Sequence, residues 1–284
     1  MTVHVAEAEN VPAEEIEWIE GCPTPPAPRI RPLHAVISVM RLIRNKEDTR
    51  QVFEIVQALS GRSGKRLFER FAKSAYGRRV INEPVRLEKI LTDHEALRAL
   101  PEGSVGRVYL DFMEGENLTA EGLIDAAEEA GIDFRGETQF PQYRRLFLHL
   151  DVSHDLWHVF SGYGRDALGE LCNLVFSRAQ TRNRGFSFIV FIGTIAQKLD
   201  NPSAPVLKAL GEARRNARAT KWVPEFDVEE LLTLPLVEAR RRMNIVEPVF
   251  YNSIPDEIKD NLLKPKVKQT QAEREGLRNP EPAL

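Results

Sequence analysis

Almost no stretch of this chain alternates apolar and polar residues with period two over a useful length, so there is little from which to build a sheet. Apolar residues return instead at helical spacing. Leu33, Val36, Ile37, Met40, Leu42 and Ile43 give a first helix from Pro32 a wide apolar face. Asp48-Thr49 precede a second, carrying Val52, Phe53, Ile55, Val56 and Leu59 and ending near Gly61. A third is predicted from Ser63 to Tyr76, with Gly77 as its stop. Further helices are expected around Leu87–Leu91, from Val105 to Met113, and from an Asn117-Leu118-Thr119 cap to about Ala130. Gly131 to Pro141 reads as irregular, and another helix is expected to begin near Gln142 or Tyr143. The prediction is one all-α domain across residues 32–245, of mostly or wholly helical structure.

Two arms flank it. Residues 1–31 are acidic and then proline-rich and read as a mobile arm or a surface strap. Residues 246–284 read as a polar C-terminal tail, disordered in its last part, LKPKVKQTQAEREGLRNPEPAL. The acidic N-terminus, MTVHVAEAENVPAEEIEWIEG, has neither the basic start and apolar core of a secretory signal nor the arginine content of a transit peptide, so the expectation is a cytoplasmic, bacterial protein. Cys22 and Cys172 make no disulfide framework, which favours a reducing compartment, and Cys172 reads as a small buried filler. A net charge of −3 and a pI near 6.1 argue against a general nucleic-acid-binding surface.

The chemistry concentrates in His154-Asp155-Leu156-Trp157-His158. Helix positions i and i+4 share a face, so His154 and His158 point at one spot. Asp151 and Asp155 fall on the same stripe. Two of the chain's six histidines sit in this pentapeptide, with Glu170 following after a turn signal, Gly162-Tyr163-Gly164. Imidazoles with carboxylates suit a first-row divalent metal such as zinc. The plainer alternative is a partly buried histidine pair hydrogen-bonded to the adjacent aspartates.

Asp166 is a predicted cap for a helix over 167–180 that turns Leu168, Leu171, Cys172 and Val175 inward and carries Glu170 in its first turn. The apolar run Phe186 to Ala196 is too short to cross a membrane and is expected to be a buried core helix, with a ligand channel or a membrane contact as the sharper alternative. Residues 203–218 form a basic amphipathic helix whose Arg214, Arg215 and Arg218 read as a solvated face. Asp227 opens a final helix or pair broken at Pro235.

His154-Asp155-x-x-His158 followed after eleven residues by Glu170 resembles the signature of the ubiquinone-biosynthesis family called coenzyme Q protein four. Tyr76-Gly77-Arg78 with Ile81-Asn82-Glu83-Pro84 is similar to another of its stretches. Leu100-Pro101-Glu102-Gly103-Ser104-Val105-Gly106-Arg107-Val108-Tyr109 with Phe112-Met113 resembles its LPxGTxGxxYxxFM block. Phe226-Asp227-Val228-Glu229-Glu230-Leu231-Leu232, Pro235-Leu236 and Arg240-Arg241-Arg242 resemble its closing helix. The resemblance implies an all-α protein that binds zinc or another divalent metal through His154, Asp155, His158 and Glu170, the same residues forming the catalytic centre. It implies a carbon–carbon lyase that removes the C1 carboxyl group, in some accounts with oxidation at that carbon, from a polyprenylated 4-hydroxybenzoate-derived ring. Expected partners are that prenylated acid, other ubiquinone-biosynthesis enzymes, and a peripheral contact with the inner membrane, with room for a homodimer and none for nucleic acid.

The residues themselves can be matched to that chemistry. A metal with an open position stabilises negative charge developing on the ring. Asp155 or Glu170 could donate a proton only if its pKa were raised, which ligation opposes, so both are assigned as ligands. Asp151 is expected behind them, orienting a histidine through its free ring nitrogen. Tyr163 and Arg165 flank the turn where a substrate would pass, and the apolar run 186–196 with the helix 143–160 could supply a slot for a prenyl tail. The alternative function is a non-catalytic prenyl-lipid-binding scaffold for a biosynthetic complex. A His-Asp type phosphohydrolase is weaker, lacking a separate His and Asp to complete its site.

Overall fold

The computed structural model describes residues 11–44, 48–83, 87–129, 134 and 137–263. Pro84, the end of the helix expected near Ala130, most of the irregular stretch after it, and the stretch from Lys264 read as disordered lie outside them. The fold is all-α with one small hairpin. Strands β1 (Glu17–Ile19) and β2 (Cys22–Thr24) pair antiparallel, with Glu17 opposite Thr24 and Ile19 opposite Cys22. Glu20 and Gly21 turn between them at φ 49° and 76°, the left-handed pair that suits a two-residue hairpin. The hairpin is tied to the body through Glu17, which takes the buried Lys65 ammonium at 2.8 Å.

Helices α1 (Pro32–Arg44) and α2 (Thr49–Ala58) pack on each other, and the Arg31 amide donates to the Ala58 carbonyl at 2.8 Å, joining the start of one to the end of the other. The expected third helix is two. Helix α3 (Ser63–Lys73) ends at Ser74, and α4 (Ala75–Asn82) starts there. Ser74 leaves the helical region (ψ 154°), and its hydroxyl accepts from the Gly77 amide at 2.9 Å. Gly77 is therefore a first-turn residue and not a stop. A Cβ there would stand 1.9 Å from the Phe71 carbonyl oxygen, so only glycine allows this junction.

Four short helices follow: α5 (Leu87–Thr92), α6 (His94–Ala99), α7 (Val105–Gly115) and α8 (Ala120–Glu129). The capping residues Asp93 and Ser104 open α6 and α7. Next come α9 (Pro141–Val152) and α10 (His154–Ser161), which supply the fully buried Phe147, Trp157 and Phe160 at the centre of the core. The capped helices α11 (Ala167–Thr181) and α12 (Arg184–Asp200) precede α13 (Val206–Ala219), α14 (Val228–Thr233) and α15 (Leu236–Met243). The packed body runs past residue 245. Helices α16 (Val249–Asn252) and α17 (Asp256–Asn261) belong to it, and Tyr251, Ile254 and Leu262 are buried.

Two apolar helices do not behave as core. On α12, Phe186, Ile189 and Val190 turn inward, but Phe191 is 62% exposed and Leu199 78%. The run expected to be buried is thus only half so. On α1, Leu33 is 73% exposed and Val36, Ile37 and Met40 nearly half. Among the described residues no helix is long and apolar enough to cross a membrane.

Candidate metal centre and its cavity

The stripe of polar residues on the central helices is interrupted. Sequence spacing puts Asp151, His154, Asp155 and His158 on one helix, yet the helix breaks at Ser153. The Ser153 hydroxyl donates to the His149 carbonyl at 2.6 Å, the back-bond by which serine bends helices. Asp151 therefore closes α9, while His154, Asp155 and His158 open α10. Within α10 the spacing does what it predicts: the two imidazoles meet edge to face, with ring centroids 5.0 Å apart.

Glu170 joins them from α11. Asp166 caps that helix by accepting from the Leu168 and Gly169 amides, which sets Glu170 in the first turn facing α10. His154, His158 and Glu170 each offer a ligand atom within 4.8 Å of the others and could hold a metal ion. Asp155 stands beside this trio, with its Oδ1 3.3 Å from His154 Nδ1.

The orientation of His158 bears directly on ligation. Its Nδ1 lies 2.9 Å from the Tyr163 carbonyl oxygen, an acceptor, so Nδ1 carries the hydrogen. That leaves Nε2 directed at Glu170, 3.5 Å away, buried and without a hydrogen bond. A metal-binding histidine needs this tautomer, fixed by a partner behind the ring. Phe112, from the Leu100–Met113 block, stacks on the imidazole at 5.8 Å and 19°. The expected partner, Asp151, takes neither ring nitrogen: Tyr163 has one and Asp155 the other. Asp151 is fully buried, and burial raises its carboxyl pKa.

Charge is balanced tightly here. Burial opposes ionisation of Glu170, but the neighbouring His158, His154 and Arg165 outweigh it and hold the carboxyl below the usual range. Asp155 is likewise disfavoured by burial and then held low, chiefly by its bond to His154. For His158 burial pulls the pKa down, while Glu170, the Tyr163 carbonyl and Asp155 together lift it above the ordinary value.

The turn between α10 and α11 is fastened from the far end of the chain. Gly162 takes the left-handed conformation (φ 78°), and Arg240 donates to the Val159 and Phe160 carbonyls at 3.0 and 2.9 Å, capping α10. The Gly164 amide donates to the Tyr251 hydroxyl at 3.0 Å, and that hydroxyl donates to Asp166. The Tyr251 and Phe250 amides in turn donate to buried Glu212. Sequence reasoning missed Tyr251; the region beyond residue 245 carries no pattern that marks it.

His154, Asp155 and Glu170 line a cavity of about 460 Å³. Most of its other walls are apolar: Val39 and Leu42 of α1, Val52 and Phe53 of α2, Phe186 and Ile189 of α12. This volume falls in the range of small-molecule sites, roughly 300–1,000 Å³. The inner face of the 186–196 run is a wall of that cavity, the sharper of the two readings the sequence allowed.

Comparison with known proteins agrees with this architecture. Over residues 24–249 the chain matches the model of the family described as coenzyme Q (ubiquinone) biosynthesis protein Coq4. Among named relatives, the ubiquinone biosynthesis protein COQ4 homolog, mitochondrial, of Homo sapiens is 23% identical over 232 residues, 80% of this chain and 82% of that one. The Bos taurus homolog is 24% identical over 204 residues, 69% of this chain and 72% of the other, and that of Danio rerio 28% over 191 residues, 64% of each. A crystal structure of a Nostoc punctiforme protein, provisionally named for ubiquinone biosynthesis, superposes with a TM-score of 0.55 at 17% identity, covering 75% of this chain and 97% of that one. That likeness bears on the fold alone.

Proposed function

This chain belongs to the coenzyme Q (ubiquinone) biosynthesis protein Coq4 family, and we propose that within ubiquinone biosynthesis it removes the C1 carboxyl group from a polyprenylated 4-hydroxybenzoate-derived precursor. The reaction is that of a metal-dependent carbon–carbon lyase, with or without oxidation at the same carbon. The observation that carries this reading is the buried Nε2 of His158, without a hydrogen bond, grouped with His154 and Glu170, two residues that line a largely apolar cavity. Zinc or another divalent ion held by His154, His158 and Glu170 would act as a Lewis acid, stabilising the negative charge that develops as the carboxyl group leaves.

The chain's own groups have separable tasks. Tyr163 fixes the His158 tautomer, and Asp155 holds His154. Glu170 and Asp155 stay ionised and serve as ligands or orienting groups, not as the source of the proton that replaces the carboxyl group. The walls from α1, α2 and α12 exclude water and take the prenyl tail.

The test is release of carbon dioxide from a purified prenylated acid by metal-loaded protein, with His158→Ala as control. Turnover lost in the variant supports the lyase. Tight binding of the acid by metal-loaded wild type without turnover favours the scaffold, a reading the largely apolar cavity also supports.

The cavity has to be filled from a lipid phase, and the exposed faces of α1 and α12 beside it suit a peripheral contact with a bilayer. Arg41 and Arg44, exposed at the end of α1, and Lys208 next to the exposed Leu207 would meet anionic headgroups. On this reading the protein works at a membrane surface beside other enzymes of ubiquinone biosynthesis.

A further inference from the structure

Three carboxylates stand on the cavity's polar wall. Asp151, Asp155 and Glu170 all line it. An anionic ligand entering that wall meets repulsion unless a fixed cation answers it. Of the described residues that line the cavity, Arg165 alone is a lysine or arginine.

Arg165 is placed firmly and engaged loosely. Its neighbours on both sides are anchored, Gly164 through its amide and Asp166 through its carboxylate, each to the Tyr251 hydroxyl. The guanidinium itself stands 3.6 Å from Glu170 and 3.9 Å from Glu116, distances of charge pairing and not of hydrogen bonds. About one third of the side chain is exposed. Its fork of donors is thus available to a planar anion, and the two glutamates keep it in place until one arrives.

We propose that Arg165 is the specificity-determining residue of the cavity, receiving the carboxylate of an aromatic acid whose apolar tail lies between α1, α2 and α12. The proposal rests on the reading that this cavity takes a prenylated aromatic ligand. It assigns Arg165 a part in recognition: the residue decides which ring enters and keeps out a ring that has already lost its carboxyl group.

Two probes separate these roles, 3-geranyl-4-hydroxybenzoate and 2-geranylphenol, which differ by the carboxyl group alone. Their dissociation constants are measured by titration calorimetry on the full chain, metal-free and zinc-loaded. Wild type should prefer the acid by about tenfold or more, the discrimination expected of hydrogen bonds to a charged group. Arg165→Met should abolish the preference by weakening acid binding, with phenol binding changed less than about twofold. Arg165→Lys, which keeps the charge and loses the fork, should retain part of it and serves if the Met variant fails to fold. Glu116→Gln, at an exposed position, should tighten acid binding by about two- to threefold by freeing Arg165 from a competitor. Equal binding of both probes by wild type, or equal loss of both in Arg165→Met, overturns the assignment and leaves the lipid cavity standing. Binding of neither probe by wild type overturns the cavity reading and the assignment with it.

Discussion

Nε2 of His158 and Oε2 of Glu170 face each other across 3.5 Å with no hydrogen bond from protein to close the gap, while the other nitrogen of the same ring is committed to the Tyr163 carbonyl. A buried ring with one nitrogen hydrogen-bonded and the other without such a bond can offer one donor to a metal. It sets the terms of the first prediction.

His158→Ala removes the proposed buried ligand, and metal content by elemental analysis should fall from about one per chain to background with the helical circular dichroism kept. Asp155→Asn should weaken metal affinity only about 10- to 100-fold, the range for a residue that orients a ligand. Stoichiometric metal in His158→Ala would remove the site. An equal and complete loss in Asp155→Asn would move Asp155 into the coordination sphere.

His149 sets a pH limit on stability. Burial, helped by the Arg79 charge and only partly offset by Asp227, pulls its pKa down to about 4. An unfolded chain has it near 6.5. As the pH falls through about 6.5 the unfolded state takes up a proton that the folded state refuses, so stability drops down to about pH 4 and is flat above neutrality. The loss across that window is on the order of 3 kcal/mol. His149→Phe, which keeps a ring against Phe71 and Tyr76, should remove this component. Urea midpoints at pH 7 and pH 4.5 measure it; an unchanged pH slope in the variant would refute the assignment.

Gly77→Ala should be among the costlier single-methyl changes in this fold. The added carbon meets the Phe71 carbonyl oxygen at 1.9 Å, so the α3–α4 junction must open. A loss of about 2–3 kcal/mol is expected from denaturant unfolding. A loss under about 0.5 kcal/mol would show that the junction yields easily.

If α1 and α12 meet a bilayer, Met40→Asp and Phe191→Asp should each reduce partitioning onto anionic phospholipid vesicles by about tenfold, the worth of one buried large side chain. Leu168→Val, in the core, should leave partitioning alone. Co-sedimentation reads all three, and wild-type protein that stays in the supernatant would count against a membrane-facing role.

Much of this molecule was legible beforehand where the signal is local. The i, i+4 histidines, the helix starts at Asp166 and Asp227, and the proline break at 235 are written in adjacent residues, and each appears as read. Where the backbone geometry decides, the letters did not show it. Ser153 looks like an ordinary helical residue until its hydroxyl is seen bonded back to His149. Gly77 carries the same letter whether it stops a helix or admits the Phe71 carbonyl. The strands of β1 and β2 are three residues each, too short to establish a period. The 186–196 run has core composition because one of its faces lines a cavity, and composition cannot tell that lining from a packed interior.

Tyr251 gives the order of residues along the chain a temporal meaning. The histidines and Glu170 leave the ribosome well before the tyrosine whose hydroxyl fastens the turn between them. Until that late segment is made and docked, the nascent chain holds the proposed ligands without the fastener that positions them. Metal capture should therefore wait for synthesis of the C-terminal helices, and a chain cut short before residue 251 should be helical yet immature.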